Sequence, residues 1–189
     1  MTTSRYATEW AAAIERTKRF GLEAPKCQMH PRRRYLTSKH MEELPRIVSE
    51  EFGNLEMSNV NAQCVAMSYR FAPVVRDWLG CPAIFTLGWI DNGTAEGMFK
   101  FDETLIADIL KNGCAHDALS VHAWITLPSA ELIDLTIATT AVKKNHPDGY
   151  MYVLAKHADE LVGIEYKPML VGDGIPPILL HYSMSPLFS

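Results

Sequence analysis

The sequence predicts an α+β domain in which helices pack on an antiparallel β-sheet. Three observations carry this expectation. Apolar residues recur at helical spacing through most of the first 80 positions. From Ala83 onward the apolar runs are short, rich in β-branched and aromatic residues, and separated by turn residues. The order of elements is helix, strand, helix and then a strand meander.

Each element has its own warrant. Tyr6, Trp10, Ala13, Ile14 and Thr17 mark one face of a helix over Tyr6–Phe20, with charges on the other face and Gly21 as its stop. Residues 22–38, which contain Pro25 and Pro31, read as an irregular connection. Ser38 can cap a second helix bearing Met41, Leu44, Ile47 and Val48, with Pro45 as a weak point or break. The strongest helical signal runs from Ala62 to Leu79, where Cys64, Met67, Phe71, Val74, Val75 and Trp78 recur every three or four residues. Asn59 and Asn61 are its candidate caps, Pro73 a candidate kink and Gly80 its end. Cys64 then lies in the first turn.

Ala83–Ile90 reads as a strand that ends in the turn Asp91-Asn92-Gly93. Phe101–Lys111 reads as a helix capped by Asp102 and stopped by Gly113. Ser120–Leu127 and Glu131–Thr136 form a predicted hairpin through Pro128-Ser129-Ala130. Neither strand alternates cleanly, which suits burial on both faces. A helix over Ile137–Lys144, extended segments at Tyr150–Leu154 and Ile164–Leu170, and a coil tail containing Pro176, Pro177 and Pro186 complete the chain. Gly172-Asp173-Gly174 reads as a turn.

Composition narrows the function. At 189 residues the chain suits one core, since domains run to roughly 100–200 residues. A hydrophobic fraction of 48% is that of a globular chain and argues against disorder. A net charge of -4 gives no global case for nucleic acid. The longest uncharged stretch in the middle of the chain, Ala118–Ala130, is shorter than the ~18–20 residues that span a bilayer. Arg5 and Glu9 fall where the apolar region of a secretory signal would lie, so the expected location is cytoplasmic, with export by a signal-independent route left open. Charge is uneven: the first 40 residues hold nine Lys/Arg against three Glu, or +6, which leaves -10 for the rest. Such a basic arm either packs on its own domain or meets an acidic partner.

Four cysteines are too few for a disulfide scaffold, so Cys27, Cys64, Cys81 and Cys114 are weighed singly. A helix N-terminus stabilises a thiolate and can receive an oxyanion, and only Cys64 is placed at one by the pattern. A nucleophilic thiol needs a base, and the base an orienting acceptor. His122 and Asp134 lie on the two strands of the predicted hairpin, where pairing can bring the carboxylate beside the imidazole, as in Ser-His-Asp systems. Taken alone, each has a plainer reading: Cys64 as a small core residue, His122 as a satisfied core histidine, Asp134 as the cap of the helix after it. Trp124 and Trp89 read as core or as substrate walls. Asn61 and Gln63 are candidate oxyanion donors. His116-Asp117 is a second His/Asp pair in a loop. Cys27-Gln-Met-His30 has ligand spacing on one side only, so no metal is expected, and with no Walker-type phosphate loop or Rossmann glycine run no cofactor is expected either.

Asn61-Ala-Gln-Cys64, Leu79-Gly-Cys-Pro-Ala83 leading into Ile84–Trp89, His122-Ala-Trp124 and Asp134-Leu-Thr136, in that order, resemble the core of transglutaminase-like proteins. The match spans about residues 59–136. The resemblance implies a papain-like fold with Cys64 as nucleophile, His122 as base and Asp134 as orienter. It implies attack on an amide or acyl carbonyl of a protein or peptide through a thioester, resolved by water or by an amine. The sequence departs from the family pattern at Cys81, where an aliphatic residue is usual, and at Leu135, where proline is usual. The expected organisation is a basic helical extension over residues 1–58, a catalytic core over 59–170 and a Pro-rich tail over 171–189. A non-catalytic interaction module of the same fold, or a secreted effector, is the alternative.

Overall fold

The computed structural model describes residues 4–53, 63–112, 120–138 and 153–180. Within them the chain is α+β, with five strands in one antiparallel sheet and helices on both of its faces. The first helix, α1 (Arg5–Arg19), starts where the Ala7 N–H donates to Ser4 Oγ at 3.1 Å, and it buries Tyr6, Trp10, Ala13 and Thr17. Helix α2 (Ser38–Phe52) is capped by Thr37 and not by Ser38: the His40 N–H donates to the Thr37 hydroxyl, and the Thr37 N–H donates back to His40 Nδ1. Pro45 lies inside α2, yet the helix runs on, with Leu44, Ile47 and Val48 buried on both sides of the missing N–H. Proline costs helix stability locally, and core anchorage offsets it.

Helix α3 (Cys64–Leu79) begins at Cys64 itself. Gln63 takes the cap position but makes no side-chain cap bond, and Asn59 and Asn61 lie outside the described residues. The left-handed Gly80 closes the helix by donating to the Arg76 carbonyl. Pro73 sits inside α3 between buried Ala72 and Val75 without ending it. Helix α4 (Glu103–Asn112) follows Asp102, whose carboxylate accepts from the Thr104 and Leu105 N–H groups.

The strands β1 (Ile84–Asp91), β2 (His122–Thr126), β3 (Glu131–Asp134), β4 (Leu154–His157) and β5 (Glu165–Val171) stand in the order β4-β3-β2-β1-β5. The hairpin β2–β3 pairs Ile125 with Ile133 and turns through Ala130 at φ 63. The extended segment expected at Tyr150–Leu154 starts only at Leu154 within the described part, and of the helix expected over Ile137–Lys144 only residues 137–138 are described. A correction falls at the tail. Ile175–Leu180 is a short helix, α5, and not coil. Pro176 and Pro177 occupy its first turn, where N–H groups have no helical partner to lose, while Ile175 and Leu179 are buried.

Alternation along the strands divides the core. Phe85, Leu87, Ala123, Ile125, Ile133 and Leu170 point to the face covered by α3 with α2, α4 and α5. Ile84, Ile90, Trp124, Leu132 and Tyr166 point to the other face, which α1 covers with Tyr6, Trp10 and Ala13. Gly88 is the point of closest approach. A Cβ there would sit 2.2 Å from the Lys167 carbonyl oxygen and 2.6 Å from the Trp124 ring.

The basic arm is bound to its own domain. Arg5, Arg16, Arg19 and Arg34 pair with Glu165, Glu103, Glu103 and Glu160. Between α1 and α2, buried Glu131 accepts from the Tyr35 and Leu36 N–H groups, and the His30 N–H donates to the Pro128 carbonyl at 2.6 Å. Among the described residues no helix is long and apolar enough to cross a membrane.

Candidate active site

The fold places Cys64, His122 and Asp134 at one point, the start of β2, from opposite sides of the sheet. Cys64 belongs to the α3 face and is packed with Val121, Ala123 and Leu87. Its thiol donates to the Val121 carbonyl at 3.7 Å, one residue before His122. His122 opens β2 opposite Gly88, and like Trp124 it faces the α1 side. The missing side chain of Gly88 leaves that side of the strand pair free for the neighbouring Trp124 ring.

The two oxygens of Asp134 have different tasks. Oδ1 accepts from the Thr136 N–H at 2.9 Å and the Ile137 N–H at 3.0 Å, the capping role that its position before Ile137 suggests. Oδ2 accepts from His122 Nε2–H at 2.5 Å and from the Tyr166 hydroxyl at 2.8 Å. Every contact to the carboxyl group is from a donor, so the ionised form is the one the site is built for. Cap and orienter are therefore one residue, not alternatives.

Burial by itself would push the His122 imidazole toward neutrality. The charge of Asp134 and the hydrogen bond to it, with a further hydrogen bond to Cys64, override burial and push its pKa up to about 10. Asp134 is fully buried, which opposes ionisation, but the His122 charge and the convergent donors hold it below the usual carboxylate range. Burial and the Asp134 charge push the Tyr166 hydroxyl well above its ordinary value, so it stays a donor. With Nε2 held by Asp134, the nitrogen of His122 left for Cys64 is Nδ1.

Around the imidazole stand three aromatic rings. Trp124 lies 6.0 Å away at 30°, Tyr166 6.4 Å away at 50°, and Phe99 stacks on it at 5.1 Å and 16°. Phe99 did not emerge from sequence pattern. It lies in the loop after Asp91-Asn92-Gly93, which carries no periodicity, and its φ of 58 is invisible in a residue type that rarely adopts it.

Other candidates separate. Trp124, read from sequence as core or substrate wall, has no exposed surface, and its indole N–H donates to the Tyr6 hydroxyl at 2.9 Å. Trp89 is half-buried, with the Lys100 ammonium 5.0 Å above its ring. Gln63 is exposed at the head of α3, beside Cys64. Asn61, Cys114, His116 and Asp117 lie outside the described residues. Among the described residues no three His, Cys, Asp or Glu side chains gather as metal ligands, so Cys27 and His30 join no such set. Burial raises the thiol pKa of Cys27, and that of Cys81 to about 11, with Arg33 partly opposing the rise at Cys81. A shallow apolar depression lies on the Cys64 side of the sheet, and its lining residues Leu87, Ile106 and Leu170 also belong to the cluster that buries Cys64. No family model, no curated protein and no solved structure matches the chain.

Proposed function

We propose that the protein is a cysteine-dependent enzyme acting on amide bonds of a protein or peptide through a thioester, with a papain-like arrangement of the three groups. The observation that supports this reading is the convergence of Cys64, at the first residue of a helix, with a His122 already oriented by Asp134. Nucleophilic sulfur is the thiolate. The proton that Cys64 gives up rests on the His122 imidazolium, which leaves the thiolate; Sγ bonds to the carbonyl carbon, and the carbonyl oxygen becomes an oxyanion facing the start of α3. In this reading the Cys64 backbone N–H at the start of α3 and the neighbouring Gln63 side chain are the donors for it. Collapse of the tetrahedral adduct breaks the C–N bond as His122 gives the proton to the leaving amine. Water then yields an acid and an amine acceptor yields a new amide, so proteolysis, amidase action, glutamine deamidation and crosslinking share every step up to the thioester.

The test is differential alkylation. In the folded protein at pH 6, iodoacetamide is expected to modify Cys64 well before Cys27, Cys81 and Cys114, as read by peptide mass. His122→Gln, with its fold confirmed by near-ultraviolet circular dichroism, is expected to abolish the difference. Equal reactivity of the four thiols in the native protein would end the catalytic assignment.

One observation favours a second reading. Cys64, His122 and Asp134 are 7%, 1% and 0% exposed, which also suits a structural polar pair in the core of a non-catalytic interaction module. In that case Cys64→Ala leaves the biological effect intact, whereas catalysis requires its loss with an unchanged fold.

A further inference from the structure

Resting on the reading of His122 as the base, we propose that Phe99 is a positioning residue that fixes the plane of the His122 imidazole. Hydrogen bonds to Asp134 and Cys64 hold the ring by its two nitrogens but leave its plane free to rock about the line between them. Near-parallel rings on the imidazole restrain that motion: Phe99 at 5.1 Å and 16°, and Trp124 at 6.0 Å and 30°. Trp124 is immobilised by the core and by its bond to Tyr6. Phe99 is half-buried, so its position depends on the loop that carries it.

That loop is built to hold it. Ile90 and Met98 exchange two backbone hydrogen bonds, at 3.0 and 2.7 Å, which pin the residue before Phe99 to the end of β1. Asp91 and Asn92 close the tip by accepting from the Gly93 and Thr94 N–H groups, and Gly93 and Gly97 take the left-handed positions that a tight loop requires. Phe99 then adopts φ 58 as well, which a bulky side chain pays for in steric strain. Such strain persists where the surroundings over-determine a side chain, and here what it delivers is a flat ring on the imidazole. The consequence is a fixed direction for Nδ1 toward Cys64, and proton transfer from a thiol depends on that direction.

The experiment uses the full-length chain with three substitutions. Phe99→Tyr keeps the ring, Phe99→Leu keeps bulk without a π-face, and Phe99→Gly relieves the backbone. Cys64 alkylation by iodoacetamide is followed from about pH 5 to 9, across the range in which an ordinary histidine titrates. The His122 side-chain nitrogens are followed by long-range ¹⁵N spectra. Phe99→Tyr is expected to keep the native rate, pH profile and sharp signals. Phe99→Leu and Phe99→Gly are expected to slow alkylation roughly 3- to 10-fold, the factor that the specific part of an aromatic contact supplies, with a broadened Nδ1 signal and unchanged circular dichroism. Native rates and sharp signals in the Leu and Gly variants overturn the proposal, and so does failure of Tyr to rescue. If native Cys64 reacts no faster than Cys27 and Cys81, it is the catalytic reading that fails, and the His122 signals alone then decide whether Phe99 positions the ring.

Discussion

Replacing Asp134 with asparagine inverts the sign of one contribution to the pH dependence of stability. In the native protein burial opposes the imidazolium, but the Asp134 charge and hydrogen bond dominate with help from Cys64, and His122 titrates at about 10. In the unfolded chain it titrates near 6.5. A raised folded value gives stability that is complete below pH 6.5 and is lost as pH rises toward 10, because the unfolded chain releases its proton first. Through the middle of that window the folded state holds one more proton, a slope of about 1.4 kcal/mol lost per pH unit. The Asp134→Asn side chain preserves an acceptor for the Thr136 and Ile137 N–H groups and removes the charge. Burial is then the largest influence left, His122 drops below 6.5, and its contribution is lost as pH falls instead. Urea denaturation of both proteins at intervals from about pH 5 to 9.5 reads this directly as a difference curve. Cys27 and Cys81, which titrate high in both proteins, cancel in that difference. Parallel curves between pH 6.5 and 9.5 would refute the assignment of a charged His122–Asp134 pair.

Two further outcomes test the frame around the site. Gly88→Ala drives a methyl group into the Lys167 carbonyl and the Trp124 ring, so it is expected to lower stability by about 1–3 kcal/mol in urea titrations and to loosen the β1–β5 pairing in hydrogen exchange. Tyr6→Phe leaves the buried Trp124 N–H without its acceptor and Thr126 without a hydroxyl partner on α1, an expected loss of about 1–3 kcal/mol measured the same way.

Much of this arrangement was legible in the residues, and the parts that were not have physical reasons. Helices α1, α3 and α4 and strands β1, β2, β3 and β5 follow from periodicity and stop signals because each buries a face whose spacing is local. The interior prolines misled because helix propensity is a local quantity, whereas α2 and α3 are held through Pro45 and Pro73 by tertiary burial on either side. Pro176 and Pro177 misled in the opposite direction, since proline breaks a helix interior but suits its first turn. At the site, spacing in a hairpin was enough to place Asp134 beside His122. It could not show that Tyr166, thirty-two residues further on, donates to the same oxygen, nor that Phe99 caps the ring. Both contacts are set by strand order and loop closure, which no local pattern encodes.

The same topology decides how the role of the basic arm can be asked. Because Cys64 comes from the α3 face and His122 with Asp134 from the α1 face, the three groups meet only when both layers are docked. Helix α1 is half of that requirement. Its Tyr6 closes a hydrogen-bonded chain with Trp124, Thr126 and Thr86 directly behind His122, and its Thr17 hydroxyl accepts from the Val171 N–H at the end of β5. Removing residues 1–40 to look for a lost partner would therefore uncover Trp124 and Tyr166 and take away the wall against which the imidazole is held. Loss of any effect after that deletion reports a dismantled sheet face, not a severed interaction. The arm's outward charge is far smaller than its count of basic residues, since Arg5, Arg16, Arg19 and Arg34 are already paired with carboxylates of the body. Lys18 and Lys39 pair with Glu15 and Glu43, so what remains for an acidic partner is exposed Lys26, Arg32 and Arg33, the last with its guanidinium stacked on Tyr35.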